Sequence, residues 1–150
     1  MTDLIIADST CLIGLERIGK IDLLPQMFSQ VTIPPEVQKE FGIYYSWLIV
    51  KSTENIGMVN SLKLVVDDGE AEAITLAYEL GYRLIVDDKQ ARNTAKKLGI
   101  QIIGTVGVLV KAKQLGLIEQ LLPILEKLES NSFYLSQSLK TEALILVNES

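Results

Sequence analysis

The chain has 150 residues, 48% of them hydrophobic, a formal net charge of −5 and no histidine; that is enough apolar material for one folded core and too much for a disordered chain. Without an imidazole, Ser-His-Asp and Cys-His catalysis, histidine-ligated zinc and histidine general bases are all excluded, so acid–base or metal chemistry has to run on carboxylates. The negative charge argues against tight non-specific nucleic-acid binding; it argues less against a nuclease whose acids surround metal ions and whose basic residues line a local groove.

In chain order, residues 4–7 (Leu-Ile-Ile-Ala) read as a buried parallel strand that ends at Asp8. Residues 10–18 carry Leu12, Ile13, Leu15 and Ile18 at helical spacing, with Gly19 as the stop. A short helix follows over 21–28, then a β-branched strand over 31–33. Pro34-Pro35 ends that strand, and Pro35 is placed to open a helix over 36–41. Residues 47–50 read as a strand, whereas 53–63 take no clear assignment. Asp67-Asp68-Gly69-Glu70 leads into a strong helix over 71–80 closed by Gly81. A strand over 83–86 then runs into Asp87-Asp88. A helix over 89–98, a strand over 101–103 and a helix over 106–115 follow, the helices closed by Gly99 and Gly116. Residues 117–128 read as helical, bent or broken at Pro123, and Ser136 caps a last helix over 137–147.

No repeat, low-complexity tract or linker interrupts this alternation. It predicts a single domain over 1–150, an α/β fold in three layers with a central parallel sheet of about four to five strands flanked by helices. Ligand sites of such folds lie beyond the carboxyl ends of the strands, and two of these strands end in aspartate. The apolar runs fall far short of the roughly 18 residues of a membrane span. Met1-Thr2-Asp3 lacks the basic start and apolar stretch of a secretory signal. The expectation is a cytoplasmic protein with no membrane contact. The one cysteine, Cys11, permits no internal disulfide and reads as a buried core thiol rather than a nucleophile. The run 144–147 is too apolar to be left exposed, so the segment from about 131 to 150 is expected to pack on its own domain or on a partner, for instance in a dimer.

Asp8 is either a metal ligand at the sheet edge or a helix N-cap ahead of Ser9 and Thr10. Asp87 and Asp88 are one acid more than capping requires. Glu36 and Glu40 share a helix face, and by spacing alone a solvated face is the plainer reading. Glu70 fits a capping box with Asp67. Glu72 sits beside Ala73 and one turn before Leu76, at the edge of an apolar face, where an unpaired acid is costly and a metal would pair it. An all-oxygen set of this kind suits Mg²⁺ or Mn²⁺ rather than zinc or copper, the usual apparatus of phosphoryl chemistry. Ser9 and Thr10 are placed to support the shell. Arg92, one turn into the helix after Asp88, either faces a substrate phosphate or makes a surface salt bridge.

Taken together the motifs resemble those of PIN-domain proteins. Ala7-Asp8-Ser9-Thr10-Cys11-Leu12-Ile13 is similar to their first motif, an aspartate after strand one followed by a hydroxylic residue. Pro34-Pro35-Glu36-Val37-Gln38-Lys39-Glu40-Phe41 is similar to the second, a glutamate on a helix after a proline. Gly69-Glu70-Ala71-Glu72-Ala73-Ile74 resembles a Gly-Glu-Ala-Glu-Ala signature in a VapC-like branch. Leu84-Ile85-Val86-Asp87-Asp88 with Ala91-Arg92, and Gly104-Thr105-Val106-Gly107-Val108-Leu109, resemble later motifs of that branch. The resemblance spans roughly residues 4–117. It implies a PIN-like fold, Mg²⁺- or Mn²⁺-dependent cleavage of RNA phosphodiesters by a metal-activated water, and a toxin of a toxin–antitoxin pair that dimerises and binds a small antitoxin. Carried over by residue, Asp8 matches the first family acid, Glu40 the second and Glu72 the third, where many relatives have aspartate. Asp88 matches the fourth, with Asp87 as a close alternative.

Other readings compete. A catalytically inactive PIN-like module would use the same acids to bind protein partners. A receiver-type domain commonly pairs acids at the first strand, where only Asp8 stands here. A haloacid-type phosphatase needs an aspartate two residues after the first, where Thr10 stands.

Overall fold

The computed structural model describes residues 3–149; the ends of the domain assignment at Met1 and Ser150, and the reading of Met1-Thr2, lie outside the described residues. In chain order the elements are β1 (Leu4–Ala7), α1 (Ser9–Arg17), α2 (Leu23–Met27), β2 (Gln30–Ile33), α3 (Pro35–Phe41), β3 (Leu48–Val50) and α4 (Ile56–Leu62). They continue with α5 (Asp68–Leu80), β4 (Arg83–Ile85), α6 (Lys89–Lys97), β5 (Ile102–Ile103), α7 (Thr105–Gln114), α8 (Leu122–Ser130) and α9 (Gln137–Leu146). The strands make a five-stranded sheet in the order β3-β2-β1-β4-β5, parallel throughout. This is the α/β fold expected from the alternation of elements.

Strand β1 lies at the centre because its residues are apolar on both faces, as a parallel strand between helical layers must be. Ile5, Ile6 and Ala7 are all 0% exposed, and burying each isoleucine contributes about 1.5–3 kcal/mol. At the edge, β3 is short and leaves Ile49 and Val50 exposed. The order also creates a switch point. From β1 the chain crosses to β2 on one side, and it reaches β4 on the other side only later. Beyond β1 the Asp8 amide donates to the Ile85 carbonyl at 3.0 Å, so Asp8 comes level with the end of β4 and Asp87-Asp88 lies just past it. Ligand sites of open α/β sheets form at such points.

Elsewhere the structure sharpens or corrects the expected elements. The unassigned stretch contains α4, whose N-cap Asn55 accepts from the Met58 amide. Helix α5 starts at Asp68, three residues earlier than expected, behind a complete Asp67–Glu70 capping box. Pro123 does not bend a helix. It stands in the first turn of α8, where a missing N–H leaves no bond unmade. Ser136 caps α9 as expected, its side chain accepting from the Leu139 amide. Gly42 and Gly81 end α3 and α5 at φ of 78° and 71°, the left-handed region that a side chain would disfavour. The C-terminal segment packs on its own domain through Ala143 and Val147, which are buried, with α9 against α7; contrary to expectation, Ile145 and Leu146 of the apolar run remain exposed, because they lie on the face of α9 turned from the core. Glu149 closes it, its carboxylate accepting from the Leu121 and Leu122 amides at 2.7 and 3.1 Å and pairing with Lys113 at 3.1 Å. No helix among the described residues is long and apolar enough to cross a membrane.

Candidate active site

Asp8 occupies the N-cap position of α1, yet its side chain makes no capping hydrogen bond. The capping explanation of this residue therefore lapses. It is 3% exposed, and its Oδ1 has no hydrogen-bond partner. Burial pushes its carboxyl up to about 8; the Ser9 amide pulls it back, and Glu70, Asp67 and Glu40 add like-charge repulsion. An orphaned carboxylate oxygen in the interior is expensive unless something cationic or a proton meets it.

Two neighbours come from helices α3 and α5, which pack together. The carboxyl of Glu40 rests on the backbone of Gly69: a Cβ built there would stand 2.3 Å from Glu40 Oε1. Glycine at position 69 thus makes room for an acid from another helix. The Glu40 carboxyl is raised, first by desolvation, while the Ser9 hydroxyl lowers it and Asp67, Glu36 and Asp68 raise it further. Glu70 is 7% exposed. Its Oε1 accepts from the Asp67 amide at 3.2 Å, and its own amide donates to Asp67 Oδ1 at 2.8 Å. Burial lifts it to about 7, the Asp67 amide lowers it, and Asp67, Asp88 and Glu40 raise it.

The acids after β4 divide between two tasks. Asp88 caps α6, its Oδ2 accepting from the Ala91 amide at 3.0 Å, and its charge reaches Glu70. Asp87 turns away to the start of α7, where it accepts from the Thr105 amide at 2.8 Å and the Thr105 hydroxyl at 2.6 Å. Burial raises Asp87, while those two bonds and Arg92 lower it. Asp8, Glu40, Glu70, Asp67 and Asp88 thus form one mutually repelling acidic group at the switch point. As the side chains stand, no three acids among the described residues close on a common point tightly enough to hold an ion.

A family model described as PIN domain matches residues 4–149. The chain belongs to the PIN-domain family. Proteins with this domain are generally nucleases and usually depend on divalent metal, so the family points to nuclease-type function for this PIN domain. No curated protein matches it. Among solved structures, a PilT N-terminus domain protein from the hyperthermophilic archaeon Sulfolobus solfataricus P2 is similar at 20% identity and a TM-score of 0.48, covering 73% of this chain and 92% of that one. That likeness is too distant to carry an argument.

Against the positions expected from sequence, the PIN domain brings Asp8 and Glu40 into one group, Asp88 reaches that group through Glu70, and Glu72 is engaged at the start of α3. Glu72 Oε1 accepts from the Glu36 amide at 3.2 Å, in the first turn of α3, so its charge serves that helix end. Glu70, which the capping box accounted for, stands in the acidic group instead. Arg92 makes no surface salt bridge among the described residues: its Nη1 donates to the Val86 carbonyl at 3.0 Å beside Asp87 and Gly104. Ser9 lies beside Glu40, whereas Thr10 is exposed and lines a cleft of about 240 Å³ with Arg17 and Phe133. Cys11 is buried, and burial pushes its thiol far up, as a core thiol requires. Thr105, which anchors Asp87, stood in the sequence within the motif Gly104-Thr105-Val106-Gly107-Val108-Leu109, but with no role assigned to it.

Proposed function

We propose that this PIN domain is a Mg²⁺- or Mn²⁺-dependent endoribonuclease whose acids are Asp8, Glu40, Glu70 and Asp88. The observation that carries the reading is Asp8: buried, with one oxygen unpartnered, and surrounded by other acids. Such a carboxylate can ionise at neutral pH only beside a cation. The donors are all hard oxygens, which fits Mg²⁺ or Mn²⁺ in kind. When bound, that ion supplies an activated water and neutralises charge on a phosphodiester.

The chain's own groups do the rest. Asp8, Glu40 and Asp88 would hold the ion. The Ser9 hydroxyl steadies Glu40. Glu70 is buried beside these acids, and with Oε1 engaged by the Asp67 amide its Oε2 is the oxygen suited to take up or return a proton. The resemblance to the VapC-like branch adds the finer reading: a cytoplasmic toxin that cuts RNA, dimerises and is held in check by a small antitoxin.

A second reading has one observation in its favour. Because no three acids among the described residues close on a point, a catalytically inactive PIN-like module acting through protein partners also fits. Calorimetric titration of Mn²⁺ and Mg²⁺ into the wild type and Asp8→Asn, followed by cleavage of labelled single-stranded RNA, separates the two. Metal binding and cleavage that are lost together in Asp8→Asn support the nuclease. A folded wild type that neither binds metal nor cuts RNA in its presence refutes it and favours the inactive module.

A further inference from the structure

Between Asp88 and Glu119 the sequence contains Lys89, Arg92, Lys96, Lys97, Lys111 and Lys113 and no acidic side chain, in a chain whose net charge is −5. The cations are therefore segregated, and the segregation begins at the acidic group itself. Helix α6 buries Ala91 and Ala95 and exposes Lys89, Asn93, Lys96 and Lys97. Positions separated by four, seven and eight residues share one helix face, so these four side chains form a stripe about 12 Å long. Its first member follows Asp88, and the stripe runs away from the site.

Helix stability explains only part of the stripe. Lys96 and Lys97 stand in the last turn, where the helix dipole favours cations. Lys89 stands in the first turn, where the dipole disfavours them. Helix α6 also contains no glutamate or aspartate to pair with a lysine one turn away. Among the described residues, Arg83, Lys113 and Lys140 reach carboxylates within ion-pair distance, and Arg92 is turned inward onto the Val86 carbonyl. Lys89, Lys96 and Lys97 have no such partner among them. A phosphate approaching the acidic group would be repelled by it, so a polyanionic substrate needs adjacent positive charge to be drawn in and held.

We propose that the exposed face of α6, Lys89, Asn93, Lys96 and Lys97, grips the phosphate backbone of single-stranded RNA and feeds it to the acidic group at its N-terminal end. The lysines act as point charges on successive phosphates, and Asn93 can donate to a phosphate or sugar oxygen. The proposal rests on the ribonuclease reading for the fate of the RNA but not for its binding.

The test is fluorescence anisotropy of a labelled, mixed-sequence single-stranded RNA with the full chain in EDTA, where metal-dependent cleavage is suppressed. The salt dependence is compared for the wild type, the triple variant Lys89→Gln/Lys96→Gln/Lys97→Gln, and a control, Lys63→Gln/Lys127→Gln, on other elements. Glutamine is a good helix former on an exposed face, and circular dichroism checks the fold. Each lysine that meets a phosphate adds about 0.7 to the slope of log affinity against log salt, so the triple variant should lose about 2 from that slope and at least about tenfold in affinity. The control should bind like the wild type. An unchanged slope in the folded triple variant, or no RNA binding by the wild type at low salt, overturns the proposal. So does equal competition by poly-glutamate, which would assign the stripe to an acidic protein. RNA binding that depends on the lysines, in a wild type that cuts nothing, keeps the proposal and rejects the nuclease.

Discussion

Gly69→Ala separates what Gly69 does for helix α5 from what it does for the site. An added Cβ would lie 2.3 Å from Glu40 Oε1 and 2.9 Å from its Cδ. Ordinary contact begins near 3.4 Å, so the Glu40 carboxyl must retreat by about 1 Å. It can do so, because it is the far end of a flexible, exposed side chain. The backbone offers no objection either, since Gly69 is not left-handed. Replacing glycine by alanine in a helix contributes up to about 1 kcal/mol, or roughly 2–4 °C in Tm for a chain of this size. The expected variant is therefore as stable as the wild type or slightly more so. Displacing a ligand-bearing carboxyl by about 1 Å is expected to cost on the order of 10- to 100-fold in metal-dependent cleavage. Thermal unfolding with EDTA and cleavage of labelled RNA with Mn²⁺ measure the two effects. A Tm several degrees lower would mean that Glu40 cannot yield. Unchanged Mn²⁺ affinity and cleavage would refute the placement of Glu40 in the site.

Other substitutions test the remaining parts. In metal-free protein, Asp8 holds a proton up to about pH 8, whereas its ordinary value is 3.8. The native state thus binds more protons than the unfolded chain between those values. The contribution is full below about pH 4 and declines as pH rises, by at most about 1.4 kcal/mol per pH unit. Asp8→Asn should therefore gain more stability at pH 8 than at pH 5 in urea unfolding with EDTA; equal gains would contradict burial of the charged form. Glu70→Gln preserves the capping box and removes the charge, and should lower Mn²⁺ affinity by roughly tenfold or more. Glu72→Gln should leave it nearly unchanged, and the opposite ranking would restore Glu72 to the site. Thr105→Val removes the 2.6 Å bond from the buried Thr105 hydroxyl to half-buried Asp87 and should cost about 1–3 kcal/mol, read by urea unfolding.

Much of the fold is legible because its signals are local. The apolar quartet ending at Asp8, the glycines closing α5 and α6 and the Asp67–Glu70 box each specify an element boundary within a few residues. Helix α4 was hidden because it buries only Val59 and so presents almost no apolar face. Pro123 carried two meanings, breaker or opener, and only the start of α8 at Leu122 decides between them. In the site, Asp8 and Asp88 could be found from strand ends. Glu70 could not, because the capping box accounted for it completely. A carboxylate has two oxygens, and only Oε1 is recorded in that box, so capping left room for a second task. Glu72 drew attention at the edge of an apolar face, but its partner is the Glu36 amide, far away in sequence. The same applies to Asp87, whose neighbour Asp88 is identical in chemistry and whose partner Thr105 belongs to a later helix.

The position of β1 has a consequence for the timing of synthesis. It precedes the other four strands of the sheet in the chain and lies at the centre, yet its second edge is covered only by β4, beginning at Arg83. At about 5–20 residues per second, several seconds separate the emergence of Asp8 from that of Asp88. Until then β1 has only β2 beside it, and the acids brought in by α5 and the end of β4 are missing. A ribosome that stalls before that point releases a fragment with an open sheet edge and an incomplete set of acids. In the ribonuclease proposed above, the strand order would delay any cleavage until β4 and the acids after it have been translated.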